Sequence, residues 1–226
     1  MAAAIGRLGY GLIVVDDASP DGTGAVADRL AASLPGIEVV HRARKEGLGP
    51  AYGAGFRRAL ERGPQIVCAM DCDFSHDPAE LPGLVAEIVA GADIAIGSRY
   101  VAGGRIAGWR AYRRFLSWAG NLYARITLGL EQRDVTSGFR AFRAPALRRL
   151  EPHTCESAGY NFQVEMAMRA HDAGFHVVER PITFRDRSLG RSKMTPGIAL
   201  EAMARLTRWA LDRRLRRRRR EEQQRA

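Results

Sequence analysis

Two short acidic clusters are the first candidates for chemistry. One is Asp16-Asp17-Ala18-Ser19-Pro20-Asp21-Gly22, straight after the apolar run 12–15. The other is Asp71-Cys72-Asp73, straight after the run 65–70, and 55 residues separate Asp16 from Asp71. Taken singly, such carboxylates ordinarily do no more than solvate a loop. Two clusters that each close a strand-like run suit a division of labour, one holding the ribose or base of a nucleotide and the other a divalent cation. Hard Mg²⁺ or Mn²⁺ prefers oxygen ligands and is commonly shared between a carboxylate or two and substrate phosphates.

Basic residues complete the set. Arg99 follows the run 92–97, Arg113 and Arg114 open the next helical segment, and Arg187 and Lys193 flank the loop 188–192. Arginine suits bidentate phosphate binding and lysine a point charge. Any one of these reads as a solvated surface cation. As a group downstream of the D-x-D they read as a cradle for a diphosphate.

The elements that must position them alternate. Residues 11–15, 37–41, 65–70 and 92–97 are apolar, strand-length runs. Between them, 23–34, 50–60 and 78–89 have helical spacing, with Pro50 suited to a first turn and Asp77 to an N-cap. Such alternation implies an α/β fold with a mostly parallel sheet covered by helices. In sheets of that kind ligands bind beyond the carboxyl ends of the strands, which is where both acidic clusters fall. After about residue 100 the pattern changes: a Gly-rich loop over 101–110, a helix over 112–128, strands over 139–142 and 175–184 and a helix over 161–173 between them. The segment 198–211 is amphipathic, with Ile198, Ala202, Leu206 and Trp209 on one stripe. The helix 112–128 reads first as core, because Phe115, Leu116, Trp118, Leu122, Tyr123 and Ile126 are apolar on more than one side. Its second reading, shared by 198–211, is an approach to a membrane.

The chain has 226 residues, which at roughly 150 residues per domain allows one domain with appendages. Of the net +10, a surplus of six comes from the last fourteen residues, where eight arginines meet two glutamates. The body is therefore only mildly basic. The run 213–220 reads as a disordered solvated tail, as a patch for anionic lipid, or as a nucleic-acid contact. It lacks interleaved aromatics and no nucleic-acid motif accompanies it, so lipid is favoured over nucleic acid. Three cysteines, Cys68, Cys72 and Cys155, give no disulfide framework and fit a reducing compartment. Cys68 and Cys72 do not make a zinc site, because zinc wants four N or S ligands and the nearest histidine is His76. Glu165, beside Asn161 and Phe162, reads equally as an acceptor-side residue and as a plain helix-face carboxylate. No run approaches the ~18 apolar residues of a membrane span, and the expected setting is cytoplasmic, peripheral on a membrane surface.

The segments VVDDASPDGTG (14–24), MDCDFSHDPAELP (70–82), IGSRYVAGG (96–104), DVTSGFRAF (134–142) and DRSLGRSKM (186–194) resemble the polyprenol-phosphate mannosyltransferases, the dolichol-phosphate-mannose synthases. The resemblance covers about residues 11–196, and the segments are specific in this order and spacing. It implies a GT-A-like nucleotide-diphospho-sugar transferase fold, with one catalytic domain over 1–211 and the basic, disordered tail over 212–226. It also implies transfer of mannose from GDP-mannose to a polyprenyl phosphate, with inversion and with Mg²⁺ or Mn²⁺. By position, Val15 and Asp17 contact the nucleotide, and Asp71, Cys72 and Asp73 lie along the diphosphate. Asp71 and Asp73 stand near the metal, and Ser75 falls where many relatives carry a Gln ligand. Arg99 meets the donor or acceptor phosphate, with Arg113 and Arg114 beside it, while Arg187 and Lys193 hold the diphosphate through a mobile loop. The catalytic set is then Asp73, Arg99 and Arg187. Some members of the family use an attached or separate membrane subunit, which adds a membrane partner to the expectation.

One departure is large. The family opens with a strand ending in a Pro-x-Tyr-x-Glu type segment, and nothing like it precedes Gly11 here. That strand is central in the family's sheet, so the expectation is an N-terminally truncated fold with unpaired strand edges, poor stability and weak or no activity. Two other readings stay open. A sister transferase would move glucose or a similar sugar from a UDP donor to the same lipid. A catalytically impaired remnant would bind nucleotide or membrane without turnover.

Overall fold

The computed structural model describes residues 1–157, 159, 161–186 and 196–225. A short helix, α1 (Ala2–Arg7), comes before the first strand, β1 (Leu12–Asp16). Helix α2 (Thr23–Ser33) carries the chain to β2 (Ile37–His41), which pairs parallel with β1 from Leu12↔Ile37 to Asp16↔His41. Helix α3 (Leu48–Glu61) leads to β3 (Ile66–Ala69), and a 3-10 turn (Pro78–Glu80) with α4 (Leu81–Val89) leads to β4 (Ile94–Ser98). Asp77 caps that turn as its sequence position predicts, accepting the Ala79 N–H at 3.0 Å with Pro78 in the first position.

The second half is less regular. The Gly-rich loop contains a short strand, β5 (Arg105–Ala107), before the long helix α5 (Ala111–Leu128), which stops at Gly129 with φ +67°. Then come β6 (Arg140–Arg143), α6 (Ala144–Leu150), α7 (Asn161–Asp172), β7 (Val177–Pro181), β8 (Thr183–Arg185) and α8 (Pro196–Arg225). The single strand expected over 175–184 is two, because the chain turns at Ile182 and changes partner. β7 pairs with β4, whereas β8 pairs with β5.

The main sheet has the order β3-β6-β4-β7. β4 and β7 are parallel, but β6 runs antiparallel to both its neighbours, so this sheet is mixed. β1 and β2 form a separate two-stranded sheet. Among the described residues no strand stands between β1 and β3. Their apolar faces meet instead in one cluster, where Ile5, Leu81, Leu84, Ala95, Phe139 and Ile182 are buried and Met1, Tyr10, Leu12, Ile66 and Cys68 pack against them. Helix α1 was not legible from the sequence, and its one buried residue is Ile5.

Two further expectations change. On α5 only Asn121, Ala124 and Leu128 are buried, while Tyr112, Phe115 and Leu116 are each 62% exposed. The core reading of that helix therefore holds for its C-terminal half alone. The stripe on α8 is core where it is described: Leu206 and Ala210 are buried against Ala124 and Leu128, with Trp209 beside them. The backbone of α8 stays helical to Arg225 instead of giving way to a disordered tail at residue 212. Arg, Gln and Glu are good helix formers and no Gly or Pro follows Gly197, so nothing local stops the helix.

Candidate active site

β3 delivers its acidic cluster where an α/β sheet should, just past the strand's carboxyl end. The turn that follows is tight, and the exposed Phe74 takes φ +60°, a left-handed conformation that a bulky side chain rarely adopts. Ser75 is buried and donates both its N–H (3.0 Å) and its hydroxyl to Asp73 Oδ1. Its carbonyl in turn accepts the Arg185 N–H at 3.0 Å, which ties the turn to β8. Ser75 thus orients Asp73 in the structure. His76 is buried behind the turn, with Nδ1 accepting the Asp71 N–H at 3.3 Å and the ring stacked on Phe139 at 4.9 Å. Burial holds its pKa below the usual histidine range.

Asp71 is served from the other side. The Tyr52 hydroxyl on α3 lies 3.4 Å from Asp71 Oδ1. The Tyr52 ring is held by Phe162 at 5.3 Å and Phe56 at 5.7 Å. Desolvation, and then the Asp71 charge, push the phenol pKa well up, so it stays a donor. A Cβ at Gly138 would come within 2.9 Å of Tyr52 Oη and 3.6 Å of both Asp71 Oδ1 and Gln163 Nε2, so these three groups converge where only glycine fits. Cys72, between the two aspartates, is exposed, and its thiol pKa is raised by desolvation and then by Asp71 and Asp73. Two carboxylates separated by one residue past a strand end are oxygen donors of the kind that fits Mg²⁺ or Mn²⁺, while the Ser75 hydroxyl is given to Asp73. Among the described residues no three His, Cys, Asp or Glu side chains gather as a closed metal cage, so such a cation would need oxygens from a ligand or water.

The first cluster is folded differently. Asp16 is buried and accepts the Ser19 N–H at 3.2 Å, with His41 Nδ1 3.5 Å from its other oxygen. The Ser19 hydrogen bonds lower its pKa. Gly24 is required beside it, since a Cβ there would lie 2.6 Å from Asp16 Oδ2. Asp17 accepts the Arg42 guanidinium and the N–H groups of Gly47 (3.1 Å) and Glu46 (3.4 Å). Its carboxylate fixes the loop that starts α3. The Val15 side chain packs towards α3, where a Cβ on Gly55 would meet it at 2.9 Å.

The cations divide in the same way. Arg99 is turned onto Asp134, donating Nε at 2.7 Å and Nη2 at 2.6 Å, with Nη2 also reaching Thr136 Oγ1 at 2.9 Å. Arg113 pairs with Asp186 at 2.9 Å and stacks over Trp109, 4.1 Å from the ring centroid. Arg114 is exposed on the next position. Arg187 and Lys193 lie outside the described residues. Glu165 is buried and holds the 156–157 backbone through N–H bonds of 3.2 and 3.1 Å, with Arg169 at 2.8 Å, which favours the structural reading of that residue.

The sequence reading gave no role to Asp134 and did not single out Tyr52, Arg140 or Gln163. Asp134 sits inside the DVTSG segment, but nothing local marks it, because its partner Arg99 is 35 residues away. Arg140 is fully buried on β6 and donates to the carbonyls of Ser137 (2.8 Å) and Val135 (2.7 Å), bracing the same segment; burial lowers its pKa to about 10.

A sheet with an acidic pair past β3, flanked by arginine-bearing loops, defines a nucleotide-sugar transferase of GT-A-like fold. The pattern of glycosyl transferase family 2 matches residues 3–151. An undecaprenyl-phosphate mannosyltransferase of Micrococcus luteus is 52% identical over 200 residues, covering 88% of this chain and 82% of that protein. A polyprenol monophosphomannose synthase of Mycolicibacterium smegmatis is 47% identical over 205 residues, covering 90% and 77%. The fold is shared with the crystal structure of glucosyl-3-phosphoglycerate synthase from Mycobacterium tuberculosis, at TM-score 0.52 and 17% identity over 93% of this chain and 80% of that one. The chain belongs to glycosyl transferase family 2, in its polyprenol-phosphate mannose synthase branch, and is a glycosyltransferase.

Proposed function

We propose that the chain transfers mannose from GDP-mannose to a polyprenyl monophosphate, with inversion, at the cytoplasmic face of a membrane. The observation that carries this reading is the paired orientation of Asp71 by Tyr52 and Asp73 by Ser75, past the end of β3, in a chain whose relatives are named for mannosyl transfer to polyprenyl phosphates. Asp71 and Asp73 would hold Mg²⁺ or Mn²⁺, which when bound supplies Lewis-acid charge to a diphosphate.

The remaining work falls to the protein. The nucleophile is an acceptor phosphate oxygen, and a phosphate monoester has a second pKa near ~6, so it is already anionic at neutral pH. No strong general base is needed. The difficulty is to hold two anions together, and fixed positive charge with positioning meets it. Arg99, Arg113 and Arg114 are assigned to the acceptor phosphate, with Arg99 and Arg113 held by Asp134 and Asp186 in the unliganded fold; Arg187 and Lys193 are assigned the diphosphate on sequence position alone. The nucleotide would lie along the Val15–Asp17 end of β1.

The acceptor's long hydrocarbon tail requires a membrane. Among the described residues no helix is long and apolar enough to cross one. The exposed Tyr112, Phe115, Leu116 and Trp118 at the start of α5 suit contact with a membrane interface, next to Arg113 and Arg114. The arginine run near the C-terminus would add about 1 kcal/mol per residue on an anionic surface.

The test is a donor panel on the purified chain with a polyprenyl phosphate and Mn²⁺ or Mg²⁺. GDP-mannose is expected to give mannosyl lipid, and Asp73→Ala is expected to abolish metal-dependent turnover. Preference for UDP-glucose or UDP-N-acetylglucosamine would replace the donor assignment, and full activity of Asp73→Ala would remove the metal assignment. Equal binding to anionic and zwitterionic vesicles would remove the lipid role of the tail.

A further inference from the structure

A polar cavity of about 170 Å³ opens between α5 and the turn that leads to Asp134. It is lined by Tyr100, Trp118, Leu122, Arg125 and Arg133, of which only Trp118 has a part above, in the membrane-facing patch. Trp118, Leu122 and Arg125 are spaced by four and three residues, so they share one face of α5. Two guanidiniums line the cavity and no carboxylate does. Among the described residues neither Arg125 nor Arg133 has an ion-pair partner.

Two of the lining residues carry buried polar atoms without a partner, Tyr100 Oη and Arg125 Nε. Ser117 stands beside the Tyr100 hydroxyl without reaching hydrogen-bond geometry. Arg125 lies in the last turn of α5, where an arginine ordinarily serves the terminal carbonyls. Its Nε finds no acceptor there. Buried donors left unsatisfied are uncommon in folded proteins and call for an explanation. Arg133 is exposed and Arg125 half-buried, so both guanidiniums are open to a ligand that enters the cavity.

The walls are also held in place. Tyr100 follows Arg99 and Arg133 precedes Asp134, and the Arg99–Asp134 pair fixes both segments. The Arg133 and Asp134 N–H groups are anchored on Glu179 at 2.7 and 2.9 Å. The site is therefore organised before any ligand arrives.

We infer that this cavity binds a phosphate-class oxyanion through Arg125, Arg133 and the Tyr100 hydroxyl. The guanidiniums match tetrahedral oxyanions in charge and in donor geometry, and the phenol adds a neutral donor. Trp118 and Leu122 form an apolar wall on which the carbon part of a phosphate monoester can rest. A free phosphate would use the polar side alone. The inference does not depend on the donor or acceptor proposed above.

The experiment is calorimetric titration of the whole chain with inorganic phosphate, and separately with hexyl phosphate, in the absence of sugar nucleotide and metal. Binding is expected in the wild type and in Asp73→Asn, and is expected to be lost in Arg125→Met and Arg133→Met. Tyr100→Phe, the mildest change, should weaken it by about tenfold, the worth of one hydrogen bond to a charged group. Tighter binding of hexyl phosphate that Trp118→Ala removes identifies an organic or lipid monoester as the source; equal binding of both identifies the free ion. Wild type and Tyr100→Phe titrating alike, or binding lost in Asp73→Asn and kept in Arg125→Met, would overturn the assignment. Because no turnover is measured, failure here leaves the mannosyl transfer proposal untouched, and the reverse also holds.

Discussion

Asp134 grips Arg99 from 35 residues away, accepting its Nε at 2.7 Å, its Nη2 at 2.6 Å and its backbone N–H at 2.9 Å. Asp134 is completely buried and Arg99 nearly so. The carboxylate raises the guanidinium pKa against the opposing pull of desolvation. Removing one partner strands the other's charge, and Asp134→Ala should cost about 3–5 kcal/mol in urea unfolding. A loss under about 1 kcal/mol, the size of an exposed pair, would show that Arg99 has another partner ready.

Tyr52→Phe should leave the fold intact, because its ring contacts with Phe56 and Phe162 survive. What it loses is the hydroxyl beside Asp71. Turnover should fall by about tenfold, in line with one hydrogen bond to a charged group. Steady-state kinetics across a metal titration checks this, and an unchanged rate would free Asp71 from dependence on α3.

Gly49 is a steric contact between α3 and the segment before α7. A Cβ there would lie 2.1 Å from the Ser157 carbonyl oxygen and 3.1 Å from the Phe162 ring. The first is backbone and cannot yield cheaply, so Gly49→Ala should destabilise by at least the ~1–3 kcal/mol of an overpacked core. Gly6→Ala is the control, since its Cβ meets nothing within 4 Å. Thermal melts of the two variants should separate clearly.

Thiol labelling reads the environment of the D-x-D. Burial pushes the Cys68 and Cys155 thiols up to about 12, while Cys72 is exposed. Iodoacetamide at pH 8 should modify Cys72 first, although its own pKa is raised. Addition of sugar nucleotide with Mn²⁺ should slow that reaction, as followed by mass spectrometry. Labelling of Cys72 that ignores both additions would place the diphosphate elsewhere.

His41 gives the chain a pH dependence with a definite sign. Its hydrogen bond to Asp28, and the charges of Asp28 and Asp16, raise its pKa above 6.5. The charged form is thus favoured in the folded protein. The stabilisation is complete below pH 6.5 and is lost as pH rises through the raised value. Melting temperature should drop between pH 6 and 8.5 by a small amount, because the ring is exposed. His41→Gln should flatten that slope, and a slope unchanged in the variant would assign it to another group.

Much of this was legible in the residues. The apolar runs ending at Val15 and at Met70 announced β1 and β3, and Asp77-Pro78 announced the capped start of a helix, which the structure opens with a 3-10 turn. Asp71 and Asp73 were found by type and position. Tyr52 was hidden, since it reads as one more core aromatic on a helix until the fold sets its hydroxyl beside Asp71. Asp134 was hidden by sequence distance from Arg99. The commitment of Asp17 to Arg42 and the 46–47 backbone was hidden for the same reason, because carboxylates near a turn look alike until their partners are in place. The early part of α5 misled in the opposite direction: aromatic residues suggested interior packing, but only positions 121, 124 and 128 of that helix are buried. Periodicity reports which face is apolar and not what covers it.

The β1–β2 ladder shares no strand hydrogen bonds with the four strands that carry the D-x-D. It is joined to them by side-chain contacts and by α3. Units linked in that way can open locally while the remainder stays closed. The unit that presents Asp17 is therefore able to breathe against the sheet that presents Asp71, with α3 as the tether that bonds to both carboxylates.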